Sequence, residues 1–164
     1  MKKYLFIIAL ILISAGSYAQ SGRSIYNKYS DAPDVSAVFI SPAVFDMIGT
    51  MPNMSVNDID VNLAPIIKSL KGFYLLDSEN KSVSSLIVSD VEKLVKDQKY
   101  ELMMEVKEDG EKVKMYITMK GDYVSSLVML VIDEEETVFI NLDGMMDRKE
   151  LEKLMVSSLN SSHH

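Results

Sequence analysis

The chain has 164 residues, with 17 basic residues against 24 acidic ones and no cysteine. A formal charge of −7 repels phosphate backbones and anionic headgroups, which argues against nucleic-acid binding and against adhesion to an anionic membrane. Without thiols there are no disulfides and no thiolate nucleophile, so stability rests on the core that a chain of this length can bury.

The first elements set an address. Lys2 and Lys3 precede an unbroken apolar run from Tyr4 to Ile13, and Ser17-Tyr18-Ala19 supplies small residues at the −3 and −1 positions of a cleavage site. This is the layout of a secretory signal peptide over residues 1–19, cut after Ala19. The run is short of the roughly 20 residues that cross a bilayer. Losing Lys2 and Lys3 leaves 15 basic residues against 24 acidic ones, a charge of −9. No lipid-acceptor cysteine follows. The expected product begins at Gln20 and is exported, periplasmic or secreted, with no stable membrane anchor.

Residues 20–34 are polar and read as a leader segment with one weak helical turn, ahead of a single domain over 35–159 and a flexible tail over 160–164. Val35 to Ile40 predicts a strand. Ser41 then caps a helix opened by Pro42, with Val44, Met47, Ile48 and Met51 on one face and Met51-Pro52-Asn53 as its stop. A short helix is predicted after Asn62, with Leu63, Ile66, Ile67 and Leu70 as its stripe and Pro65 in its first turn, where the missing donor costs little. Lys71-Gly72 should end it, and Phe73 to Leu76 should form a strand. The longest helix is predicted from Ser82 to Asp97, with Val83, Ile87, Val91, Leu94 and Val95 inward and Lys93 and Lys96 at the negative pole of its dipole. Four strands follow. Asp147 with Glu150 then resembles a capping box for a last helix with Leu151, Leu154, Met155 and Leu159 on its buried side.

The hairpin at Asp109-Gly110 fixes a register. A two-residue turn sets Val106 against Val113, Met104 against Met115, Leu102 against Ile117 and Tyr100 against Met119, with Glu105 facing Lys114. A slip of one residue would put lysines opposite the apolar row. That row should lie under the helices beginning near Ser82 and Asp147. The other side, with Glu101, Met103, Glu105, Lys112, Lys114 and Tyr116, should be open. Leu127 to Ile132 is apolar at six successive positions and reads as an interior strand covered at least partly on both sides, with the leader segment as a candidate cover. The fold class is α+β: a mainly antiparallel sheet of about six strands with helices packed on one face.

Catalytic parts are scarce. The only histidines are His163 and His164. No phosphate loop, dinucleotide fingerprint or nucleophile elbow is present, and conventional zinc ligands are lacking. Asp133-Glu134-Glu135-Glu136 and the pair Asp58 and Asp60 could attract calcium, but neither has the spacing of a calcium loop. Twelve methionines suit copper, yet most fall on predicted core stripes and read as adaptable filler. No cofactor, no metal site and no catalytic residue is assigned. The candidate binding surface is the open side of the hairpin, with Met103 and Tyr116 at its centre and Glu101, Glu105 and Lys114 around them. The expected partner is an envelope protein or ligand.

The chain resembles the bacterial family catalogued as domain of unknown function 4252. Ser41-Pro42, Met51-Pro52-Asn53-Met54, Ile67-Lys68-Ser69-Leu70, Phe73-Tyr74-Leu75-Leu76 and above all the segment from Tyr100 to Val113 carry the likeness. The resemblance implies a small exported protein often encoded near sigma factors of the cell-envelope response, and it transfers no catalytic residue. Two functions follow as expectations. One is non-enzymatic binding or sensing linked to envelope stress; the other is a periplasmic hydrolase using carboxylates that the fold brings together.

Overall fold

A computed structural model describes residues 21–48 and 64–153. The signal segment, Met51, Asp58, Asp60, Leu154, Met155, Leu159 and the tail lie outside the described residues. Helix α1 spans Gly22–Tyr29, strand β1 Val35–Ile40, α2 Pro42–Ile48 and α3 Ala64–Ser69. Strand β2 spans Leu70–Ser78, α4 Lys81–Asp97, β3 Glu101–Glu108 and β4 Glu111–Lys120. Strands β5, Tyr123–Ile132, and β6, Thr137–Asp147, follow. Residues 148–153 are helical and are designated α5. The six strands form one sheet in the order β1-β2-β6-β5-β4-β3, and every neighbouring pair is antiparallel. The α+β class with six strands is what the sequence pattern specifies.

The leader is more than a leader. Ser21 and Ser24 form a reciprocal capping box, each hydroxyl accepting the other's backbone N–H at 3.2 and 2.9 Å, and this starts α1. Ile25 and Tyr29, four residues apart on one face, enter the main core at 1 % and 5 % exposure. There they join Ile87, Val91 and Leu94 of α4 over Leu76, Phe139, Val128, Leu130 and Tyr116 of the sheet. The leader helix shares this core with Val128 and Leu130 of β5. Lys28 Nζ and the Tyr29 hydroxyl both meet Asp90 Oδ2, at 2.7 and 2.8 Å, and tie α1 to α4.

Helix α4 begins one residue before the predicted start. Asn80 Oδ1 caps it by accepting the N–H groups of Ser82 and Val83 at 3.1 and 3.2 Å. In α2 the buried residue is Phe45, while Val44 and Met47 are exposed, so the predicted stripe is displaced from the real one. The strand after α3 starts at Leu70 and runs through Lys71-Gly72, the pair expected to stop the helix. Gly72 is required there for space, since a Cβ would meet the Tyr74 ring at 2.8 Å. The Asp147 cap of α5 is half of the expected box. Its carboxylate accepts from Lys149 and Glu150 N–H at 2.8 and 3.3 Å, but Glu150 turns to Lys153 at 2.7 Å.

The hairpin turn is as expected, with Asp109 and Gly110 at φ 47° and 91°, the positive values of a type I′ turn. Val106–Val113, Met104–Met115 and Glu105–Lys114 pair as predicted, but a bulge follows, so Leu102 faces Tyr116 and Glu101 faces Ile117. The extra residue is Met103. A larger correction concerns the helices. The core of α1 and α4 lies on the side of Tyr116, not on the side of Met104 and Met115. Among the described residues a small second cluster, where Ile66 of α3 and Leu151 of α5 meet Val124, Met146, Leu127, Leu142, Ile117 and Met119, packs on one corner of the latter side. The hairpin misled because it sits at the edge of the sheet. Helix α4 is centred on the inner strands, and only Glu92 reaches outward, to Lys114 at 3.9 Å.

Candidate functional site

The five residues of the predicted binding surface do not form one surface. Tyr116 is 9 % exposed and belongs to the main core. Met103 is exposed at 39 %, at the bulge, and Leu102 rather than Met103 is Tyr116's neighbour. Glu101 pairs with Ile117, in the row on the opposite face from Tyr116. Lys114 lies half-covered beside Glu92. Glu105 is paired with Lys107 at 3.1 Å, and this hydrogen bond holds its carboxyl below the usual range.

The opposite face carries the larger feature. Strand registers align three transverse rows across all six strands. The middle row runs Val38, Leu75, Ile140, Met129, Met115, Met104. One neighbouring row runs Ile40, Phe73, Leu142, Leu127, Ile117, Glu101, and the other Ser36, Asp77, Val138, Val131, Val113, Val106. Fifteen of these eighteen positions are apolar, and none of the fifteen is buried. Val38, Met104 and Val106 are exposed at 45, 41 and 43 %. A polar exception is built in, because Asp77 Oδ1 is buried without a hydrogen-bond partner among the described residues. The sequence signal for this face was the continuous apolar run of β5, which only makes sense if both sides of the sheet are apolar.

Beneath α1 lies a polar network that sequence reasoning missed. Ser126 Oγ accepts from the Tyr100 hydroxyl at 2.9 Å and from Asn141 Nδ2 at 2.8 Å, and donates to Asp143 Oδ1 at 2.8 Å. Burial pushes the Tyr100 hydroxyl pKa up. A serine hydroxyl has two acceptor lone pairs, and both are taken here. The arrangement ties Tyr100, β5 and β6 together through one hydroxyl. Gly22 packs directly on Asn141, whose side chain a Cβ at that position would overlap.

A third feature is a cleft of about 420 Å³ where the Asp133–Glu136 turn meets the start of α4, with Lys81, Ser84, Ser85 and Val88 opposite. Asp133 Oδ1 accepts the N–H groups of Glu135 and Glu136, both at 2.7 Å, and these bonds lower its pKa. Glu136 is raised, chiefly by the charge of Asp77. Two carboxyl groups pushed apart is the pattern of an acid and a base. Asp133, however, is spent on shaping its own turn. Among the described residues no three acidic, histidine or cysteine side chains gather as a metal site, and no helix is long and apolar enough to cross a membrane.

A family model described as a domain of unknown function (DUF4252) matches residues 29–154. No curated protein matches the chain.

Proposed function

We propose, for a chain that belongs to the DUF4252 family, that it works in the cell envelope by non-covalent binding and that the open apolar face of its sheet is the contact surface. One observation carries this reading: three aligned rows with fifteen apolar side chains, twelve of them half-buried and Val38, Met104 and Val106 exposed. Monomeric soluble proteins seldom expose a contiguous apolar patch above a few hundred Å², and larger ones mark contact sites. Three of the middle row are methionines, whose unbranched side chains adapt to different shapes. The rest of the expectation, export after Ala19 and a role in envelope stress sensing, rests on the signal layout and the family resemblance.

The test uses the mature chain with Met104→Glu and Val106→Glu, two exposed positions on β3. Circular dichroism should be unchanged, while proteins captured from envelope extract by the unaltered chain should be lost at least tenfold. Capture at undiminished strength would overturn the reading.

A carboxylate hydrolase is the second reading, favoured only by the opposed pKa shifts of Asp133 and Glu136 in the cleft. It requires turnover of a glycan or ester that Glu136→Gln abolishes. Turnover unaffected by that substitution would end it.

A further inference from the structure

The methionines that the sequence places on core stripes are not all in the main core. Met104 of β3, Met115 of β4 and Met129 of β5 are direct cross-strand partners, Met104 of Met115 and Met115 of Met129. They stand side by side in the middle row of the face opposite α1 and α4. Met104 is 41 % exposed, and Met115 and Met129 are half-buried. Partners of this kind hold their Cβ atoms about 5 Å apart. An unbranched methionine carries its sulfur two bonds beyond Cβ on freely rotating bonds. The outer two sulfurs can therefore lean inward and meet the third above β4. Met119 and Met146 lack this arrangement, since each pairs with Val124.

The surroundings decide what such a trio takes. Val113, Val131, Ile117 and Leu127 flank it in the neighbouring rows, and none of these side chains offers nitrogen or oxygen. The polar positions of the three rows are Ser36, Asp77 and Glu101, so no lysine or arginine stands in them to compete with a metal ion. A chain of net charge −7 draws cations toward its surface. Thioethers without harder donors select Cu(I), whereas zinc and Cu(II) favour imidazole and calcium favours oxygen. We propose that Met104, Met115 and Met129 form a thioether site for a single cuprous ion. The ion binds and leaves as Cu(I), so no electron moves. The site goes beyond the binding reading and does not depend on it.

The test titrates Cu(I), held reduced by ascorbate without oxygen, and Ag(I), its redox-inert counterpart, into the mature chain carrying His163→Ala and His164→Ala, which removes the imidazoles. Isotope-labelled methionine methyl groups report the ion by nuclear magnetic resonance. The signals of Met104, Met115 and Met129 should move together and saturate at one ion per chain, and excess Zn(II) should leave them in place. Losing a ligand should cost at least the roughly 10–100-fold in affinity that losing a ligand's hydrogen-bond partner costs. Met115→Leu should therefore weaken binding by that much, and Met47→Leu should not. Leucine conserves volume; if a variant nevertheless fails to fold, the signal map of the unsubstituted row decides alone. Row signals that stay still in excess ion overturn the site, as does equal affinity in the Met104→Leu, Met115→Leu, Met129→Leu chain. That triple variant keeps the face apolar, so loss of the ion with full capture of envelope proteins supports the site and leaves the binding reading intact. No ion binding, with capture abolished by Met104→Glu and Val106→Glu, removes the site and keeps the reading. Ion binding to the unsubstituted row, with capture undiminished by those two substitutions, keeps the site and removes the reading.

Discussion

The two faces of this sheet are built from the same strands and differ in almost everything else. On the α1 and α4 side, Leu76, Val128 and Phe139 are fully buried, and the rows become charged at Lys112 and Lys114 where the helix layer runs out. On the other side, apolar residues persist to the edge, and Val106 and Met104 are as exposed as surface residues. Hydrophobicity alone therefore does not say which side is the core. The core is where helices of sufficient length are anchored, here by the Ser21 and Asn80 caps and by the shared carboxylate of Asp90. On the other side the described helices α3 and α5 pack over one corner.

Adjacent residues of β6 give the hardest test of that contrast. Phe139→Ala should cost about 3–5 kcal/mol in urea unfolding, whereas half-buried Ile140→Ala should cost less, about 1–2 kcal/mol. Equal losses would mean that the second face is as well covered as the first. A middle-sized effect is expected from Gly22→Ala. The added methyl collides with Asn141, so α1 must shift on the sheet at a cost of about 1–3 kcal/mol. Apolar dye binding should also report the loosened helix.

The smallest effect is a pH dependence confined to the α1 and α4 side. Burial raises the pKa of Tyr29, Tyr74 and Tyr100. Their contribution is fully present below the unfolded value of about 10 and is lost as pH rises through the folded values. The hydrogen bond from Lys28 to Asp90, which raises the lysine, acts in the same direction. Stability measured against urea should fall above about pH 10, and Tyr100→Phe should flatten part of that fall. A curve that Tyr100→Phe leaves unchanged would take this tyrosine out of the buried network.

Much of the fold was legible because it was written in local patterns. The α4 stripe, the Asp109-Gly110 turn and the alternation from Met104 to Val106 each act within a few residues, and the structure has them where the pattern puts them. What was not legible depends on which distant segments meet. Nothing local distinguishes the side of Tyr116 from the side of Met115, because the choice is made by where α4 crosses the sheet. The leader looked polar because Ile25 and Tyr29 are the only large apolar side chains fully buried on a helix of eight residues, with Gly22 and Tyr26 beside them, too few to raise its average. The polar network joins Tyr100, Ser126, Asn141 and Asp143 from three separate stretches, with only single polar residues in otherwise apolar strands as a hint. The binding surface was misplaced for the same reason: its centre, Tyr116, is exposed only if no helix lies above it.

The sheet's register irregularities have a consequence of their own. Shifts occur between Leu70 and Gly72, Leu102 and Met104, Thr118 and Met119, and Val124 and Ser126, all toward the same end of the sheet. They act together as a dislocation acts in a crystal: in β2 and β5 odd and even positions exchange sides across the line, while β4 and β6 keep their alternation. That exchange lets Val124 join Met119 and Met146 in the corner cluster while Ser126, two residues on, faces the opposite core. Deleting Ser125, the surplus residue of β5 against β4, would make Val124 and Ser126 neighbours, and ordinary alternation would still keep them on opposite faces. Deleting a residue of β5 that has no surplus, such as Leu127, would instead send the positions before it to the other face, so length in these strands is as constrained as composition.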